Sequence, residues 1–173
     1  PNLDAEIEAT KLEARLLLNL ASLPGTVELP LWRTLELSYF ARHDAAEIAW
    51  HTRSLVNLVE TPEPVVRARV SPFGGGLQVL VYAPDRQDLF ARTCGYFDGA
   101  NFNILDAKVH TTKSGYALDT FLVVSPHFDS HYRDLIAYVE TQLTLALKGT
   151  GPLPGPSRGR ISRRGKSFPV TPR

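Results

Sequence analysis

Methionine is absent from this chain, cysteine occurs once, and no apolar run approaches the roughly 18–20 residues that a bilayer-spanning helix needs. A single cysteine excludes an internal disulfide. Cys94 lies on an apolar helical stripe, where it reads as a small core residue, and this fits a reducing, cytoplasmic compartment. No secretory leader opens the chain, which starts at Pro1 and stops at Arg173 just as Phe168-Pro169-Val170-Thr171-Pro172 turns extended. Such ends read as those of a piece cut from a longer protein, so missing catalytic motifs exclude little about a parent. Acid is lacking locally: from Lys148 onward there are seven Lys/Arg and no Asp/Glu, so residues 1–147 carry +1 − 7 = −6. Residues 150–173 therefore read as a basic Gly/Pro linker, with a last sheet strand expected near 166–172. A basic tail also suits nucleic acid, but a connector is the simpler reading.

What is present is an ordinary globular composition, 43% apolar and 21% charged over 173 residues. The most informative stretch is Leu77–Val124. Leu77, Val79 and Val81 alternate with Gln78, Leu80 and Tyr82, the period of a pleated strand. Ala83-Pro84-Asp85-Arg86-Gln87-Asp88 breaks that strand and opens a helix near Asp85, with Leu89, Phe90, Thr93, Cys94 and Phe97 on one stripe and Gly99 as its stop. A second strand is expected to put Leu105, Ala107, Val109 and Thr111 on one face. Lys113-Ser114-Gly115 then turns into a third strand, Tyr116–Val124. A closing helix carries Tyr132, Leu135, Ile136, Val139, Leu143 and Leu147 on one stripe. The order β-α-β-β-α predicts an α+β fold, a ferredoxin-like sandwich of two helices on an antiparallel sheet, over residues 63–149.

Residues 1–62 read as helices: Asp4–Ser22, a second opened by Pro30 with Leu31, Trp32, Leu35 and Tyr39 packing, and a third from the cap Asp44. The third should bury Ile48, Ala49, Thr52, Leu55, Val56 and Val59. Val65–Val70 reads as an additional strand. His43, Glu47 and His51 offer two imidazoles and a carboxylate, a plausible metal set. On a straight helix i to i+8 spans about 12 Å, so the three are expected to stay apart, with an interdomain or surface role and no metal. His110, His127 and His131 show no ligand spacing.

Several long motifs occur in order: Tyr39-Phe40-Ala41-Arg42-His43-Asp44-Ala45-Ala46-Glu47-Ile48-Ala49-Trp50-His51-Thr52-Arg53, then Val79–Ala91, Asn103-Ile104-Leu105-Asp106-Ala107 and Gly115–Phe121. Together they resemble the C-terminal region of the bacterial bifunctional uridylyltransferase/uridylyl-removing enzymes, and the resemblance covers nearly the whole chain. It implies that the helices end a hydrolase region and that the sandwich is the first of two ACT domains. It also implies a parent that attaches UMP to the PII nitrogen-signalling protein and removes it, using a divalent metal such as Mg. This segment would carry no catalytic residues and no cofactor of its own. Its implied role is allosteric sensing of glutamine, with pairing to another ACT unit or a second copy as partner, and no membrane.

A free amino acid offers a carboxylate and an ammonium. The turn after Tyr82 presents helix N-terminal amides for the former, and Asp85 and Asp88 supply acceptors for the latter. The candidate ligand set is Asp85, Arg86, Gln87, Asp88, Asn101, Asn103 and Ile104. On plain chemistry, Asp85 and Asp88 also read as helix-start residues and the asparagines as turn residues. One departure stands out. ACT units that bind amino acids usually carry Gly where Asp88 stands, which points toward a second ACT unit as the better site. The alternative is an RNA-binding module in which Tyr82, Tyr116 and Phe121 stack on bases, although this third strand lacks the Arg/Lys-Gly-aromatic pattern such modules use.

Overall fold

The computed structural model describes residues 2–23, 25–126 and 131–153. The strand expected near 166–172 lies outside them, as does His127. The chain divides into two compact units. One comprises residues 1–61 with the short segment Thr112–Gly115, and the other takes the rest.

The helical unit holds α1 (Leu3–Leu20), α2 (Leu29–Trp32), α3 (Leu37–Arg42) and α4 (Ala45–Ser54). Asn2 caps α1, accepting from the Asp4 N–H at 3.0 Å. The expected second helix is split into α2 and α3, because the helix stops after Trp32 and the chain is extended at Glu36, yet Leu35 and Tyr39 are buried as the pattern requires. Asp44 caps α4, its carboxylate accepting from the Glu47 N–H at 2.8 Å. The helix ends at Ser54, so Val56 and Val59 fall beyond it. Trp32 Nε1–H donates to Thr52 Oγ1 at 3.0 Å, tying α2 to α4 in the interior. Arg15 and Lys11 of α1 lie over the Trp32 and Phe40 rings.

The second unit is a four-stranded antiparallel sheet of β1 (Val65–Val70), β2 (Leu77–Pro84), β3 (Asn103–Lys108) and β4 (Tyr116–Val124), in the order β1-β2-β4-β3. Helices α5 (Leu89–Gly99) and α6 (Tyr132–Lys148) pack on the sheet and on each other. Leu77, Val79, Val81, Ala83, Phe97, Phe121, Val139, Leu143 and Leu147 share one core. The fold is the expected ferredoxin-like α+β class, and the place beside β2 is filled by Val65–Val70. A side chain at Gly76 would put its Cβ 2.6 Å from the Val123 carbonyl, so the entry to β2 requires glycine. On the open edge of β1, the Ala68 N–H donates to Glu140 of α6 at 2.9 Å.

Three local expectations change. First, β3 carries a register shift between Ile104 and Asp106, so Ile104 packs on the core with Ala107 while Leu105 is 50% exposed. One inserted residue breaks strict alternation, which is why Leu105 and Ala107 do not share a face. Second, α5 begins at Leu89, not near Asp85. Third, its left-handed terminating residue is Asn101, with φ 67°, two positions after Gly99. The Phe102 N–H returns to the Phe97 carbonyl at 2.8 Å and the Asn101 N–H to Asp98 at 3.1 Å, a Schellman closure.

Candidate functional site

In the sandwich, β2 ends at Pro84 and the chain crosses to α5 over Asp85–Asp88. A groove of about 520 Å³ opens there, lined among others by Glu63, Pro84, Asp85, Arg86, Leu89 and Lys148. Glu63 and Lys148 face each other at 3.4 Å, both well exposed. Arg86 pairs with Asp88 at 2.8 Å and donates through Nη2 to the Gly149 carbonyl at 3.0 Å. Arg92 pairs with the other Asp88 oxygen at 2.6 Å and donates to the Gly151 carbonyl. The Arg92 hydrogen bond, with both guanidinium charges, holds the Asp88 carboxyl below the usual aspartate range. Asp88 is the N-cap of α5 by position, but its side chain is spent on the arginines and makes no cap bond.

Of the sequence-derived candidates, Asp85 and Arg86 line this groove, and Asp88 stands behind it through Arg86. Gln87 is exposed and is not part of the lining. Asn101, Asn103 and Ile104 are elsewhere. Pro84 pairs with Tyr116 whereas Asn103 pairs with Val124, eight residues along β4. At about 3.3 Å per residue that is roughly 26 Å, the far end of the sheet. Asn101 serves the helix terminus described above. The sequence reading missed Glu63 and Lys148, which are distant in the chain and reach the groove only through the pairing of β1 and the packing of α6. The proposed base-stacking aromatics are also corrected: Tyr82 and Phe121 are fully buried, the first stacked on Tyr116 and the second in the helix-facing core.

The helical unit holds a second cluster. His43, Glu47 and His51 are buried, and one ligand-type atom from each lies within 4.8 Å of the others. This overturns the expectation that the three stay apart, and of the interdomain or surface role expected for them burial rules out the surface one. The 12 Å estimate assumed one straight helix. His43 is instead the extended C-cap of α3, followed by extended Asp44, so the chain turns a corner and folds His43 back toward α4. Tyr39, missed as a functional group, touches both imidazoles: its carbonyl meets His43 Nδ1 at 2.9 Å and its hydroxyl meets His51 Nδ1 at 2.6 Å. Burial first, then the Glu47 charge, raises the Tyr39 phenol well above its ordinary value, so it stays protonated. The spacing of Tyr39 four residues before His43 was the available signal.

The family model described as the uridylyltransferase GlnD fifth domain matches residues 2–54, the helical unit through α4. A bifunctional uridylyltransferase/uridylyl-removing enzyme of Ralstonia nicotianae is 53% identical over 173 residues, which is 98% of this chain and 20% of that protein. The chain matches the C-terminal region of the bifunctional uridylyltransferase/uridylyl-removing enzymes. Enzymes with that name from Burkholderia mallei and Burkholderia pseudomallei are each 49% identical over all of this chain and 20% of their own length. The chain thus spans about a fifth of the curated uridylyltransferase/uridylyl-removing enzymes it matches. No solved structure matches it. Among the described residues, no helix is long and apolar enough to cross a membrane.

Proposed function

We propose that this segment is a regulatory part of a cytoplasmic enzyme that attaches UMP to PII and removes it. In this reading the sandwich is an ACT unit whose groove takes up glutamine. The observation that carries the proposal is the groove's mixed charge: Arg86 and Lys148 beside Asp85 and Glu63 at one sheet end. A zwitterion needs a cation for its carboxylate and an anion for its ammonium, within a few ångströms. The Glu63–Lys148 pair is exposed, so opening it costs little. Two opposed activities in one parent need a switch, and a ligand supplies one by binding one arrangement of domains more tightly than the other. Pairing with a second ACT unit or another copy of the chain would provide those arrangements. The transfer chemistry and its divalent metal, such as Mg, belong to other segments of the parent.

Asp88 is held by two arginines, so the ligand lies on the Pro84–Arg86 side and not against the start of α5. Calorimetry with glutamine on this chain should give saturable heat. Lys148→Ala should weaken binding about tenfold, the loss of one charged hydrogen bond. Saturable heat from this chain that Lys148→Ala leaves unchanged would move the site elsewhere. No heat from this chain, or from one extended through a second ACT unit, would remove the sensing role.

A further inference from the structure

We propose that His43, Glu47 and His51 form a binding site for one divalent transition-metal ion of the zinc type, clamping α3 to α4. The three residues offer two imidazoles and one carboxylate, a donor set that suits zinc and leaves a fourth position for a small ligand. All three are buried, and their ligand-type atoms lie within 4.8 Å of one another. An ion at about 2.0–2.2 Å from each donor sets tetrahedral neighbours about 3.4 Å apart. At the widest separation the donors must therefore close by about 1.4 Å, 4.8 less 3.4, a distance side-chain rotation can cover.

The second argument is orientation. A ligating histidine usually donates its other ring N–H to a fixed acceptor, which selects the tautomer and aims the ring. Here one residue, Tyr39, meets both rings. The Tyr39 carbonyl can only accept, so His43 carries its proton on Nδ1 and its lone pair on Nε2. The Tyr39 phenol oxygen stands 2.6 Å from His51 Nδ1, and with Nδ1–H donating there, Nε2 of His51 is the ligand atom too. The His43 ring is thus held in the tautomer that an ion requires, and the Tyr39 hydroxyl, able to accept as well as donate, lets His51 adopt it too. The corner at His43–Asp44 makes the placement possible: Asp44 caps α4 and fixes Glu47 one turn in, while His43 reaches across from α3.

The test titrates the metal-stripped 173-residue chain with cobalt(II), then displaces it with zinc(II). The expected result is one equivalent bound, visible d–d absorption of low-symmetry cobalt, quenching by zinc, and a raised thermal midpoint with zinc. His43→Gln, Glu47→Gln and His51→Gln should each weaken cobalt affinity by more than the ~10- to 100-fold typical of losing an outer partner. Tyr39→Phe, a positioning change, should weaken it within that range. Changing His131, the exposed residue at the start of α6, to Gln should change nothing. Absence of stoichiometric cobalt or zinc binding by the unmodified chain would overturn the proposal even if a variant failed to fold. So would binding that survives Glu47→Gln and His51→Gln together, or binding that is lost on His131→Gln alone.

Discussion

Glu47 in the helical unit and Asp88 in the sandwich both stand at the start of a helix, and their surroundings give them opposite work. Glu47 is 5% exposed and enclosed with two histidines and a tyrosine. Asp88 is 36% exposed and bridged by Arg86 and Arg92. A dry carboxylate must be hydrogen-bonded or meet a cation at close range, because water cannot stabilise its charge. A wet one can take arginines as partners cheaply, and each pair is worth little. The difference teaches that burial, set by tertiary packing, decides what a carboxylate does. Position along a helix does not.

The comparison can be broken most strongly in the sandwich core. Phe97 is fully buried and packs against Phe102 and Phe121. Phe97→Ala should cost about 3–5 kcal/mol, read as a lower denaturant midpoint by circular dichroism. Both tryptophans, Trp32 and Trp50, belong to the helical unit, so their emission follows that unit separately. If emission and dichroism shift together by the same amount, the two units are not separate energetically.

A smaller effect tests the helical side. Asp44→Ala removes the 2.8 Å cap on α4 and should cost ~1 kcal/mol, within about 0.5–2, visible as a shift in the Trp50 emission midpoint. An unchanged midpoint would show that the corner is held without its cap.

The smallest effect concerns Asp88 and is a matter of pH. Its carboxyl is more acidic folded than unfolded, chiefly through the Arg92 hydrogen bond. Its contribution is therefore complete above about pH 4, the ordinary aspartate value, and is lost as pH falls through the lower folded-state value. Asp88→Asn should slightly lower stability at neutral pH and flatten the loss below about pH 4. Urea midpoints between acid and neutral pH would check this. An identical acid slope in the variant would show that the two arginine pairs add nothing.

Much of the sandwich was legible because the Leu77–Tyr82 run has strand character and the stripe of Val139, Leu143 and Leu147 marks the core side of α6, although both faces of β2 are buried. The Asp44 cap was equally readable, since an acid three residues before Glu47 has one good structural use. The bulge at Ile104–Asp106 was hidden, because one inserted residue shifts the face without changing composition. The turn of Asn101 was hidden by the nearby Gly99, the commoner helix terminator. Both clusters were missed in part for a shared reason. Lys148 enters the groove, and His43 meets His51, through changes of chain direction that periodicity assumes away. The ligand set failed as a group because Asn103 lies a whole strand length from Asp85.

Glu140 on the outermost amide of β1 has a consequence for how copies of this molecule can meet. An N–H already claimed by a carboxylate offers nothing to a visiting strand, and its charge repels an incoming carbonyl. At the opposite rim the bulge around Leu105 disturbs the ladder that a newcomer would have to match. Both margins are thus blunted against fibril-like accretion.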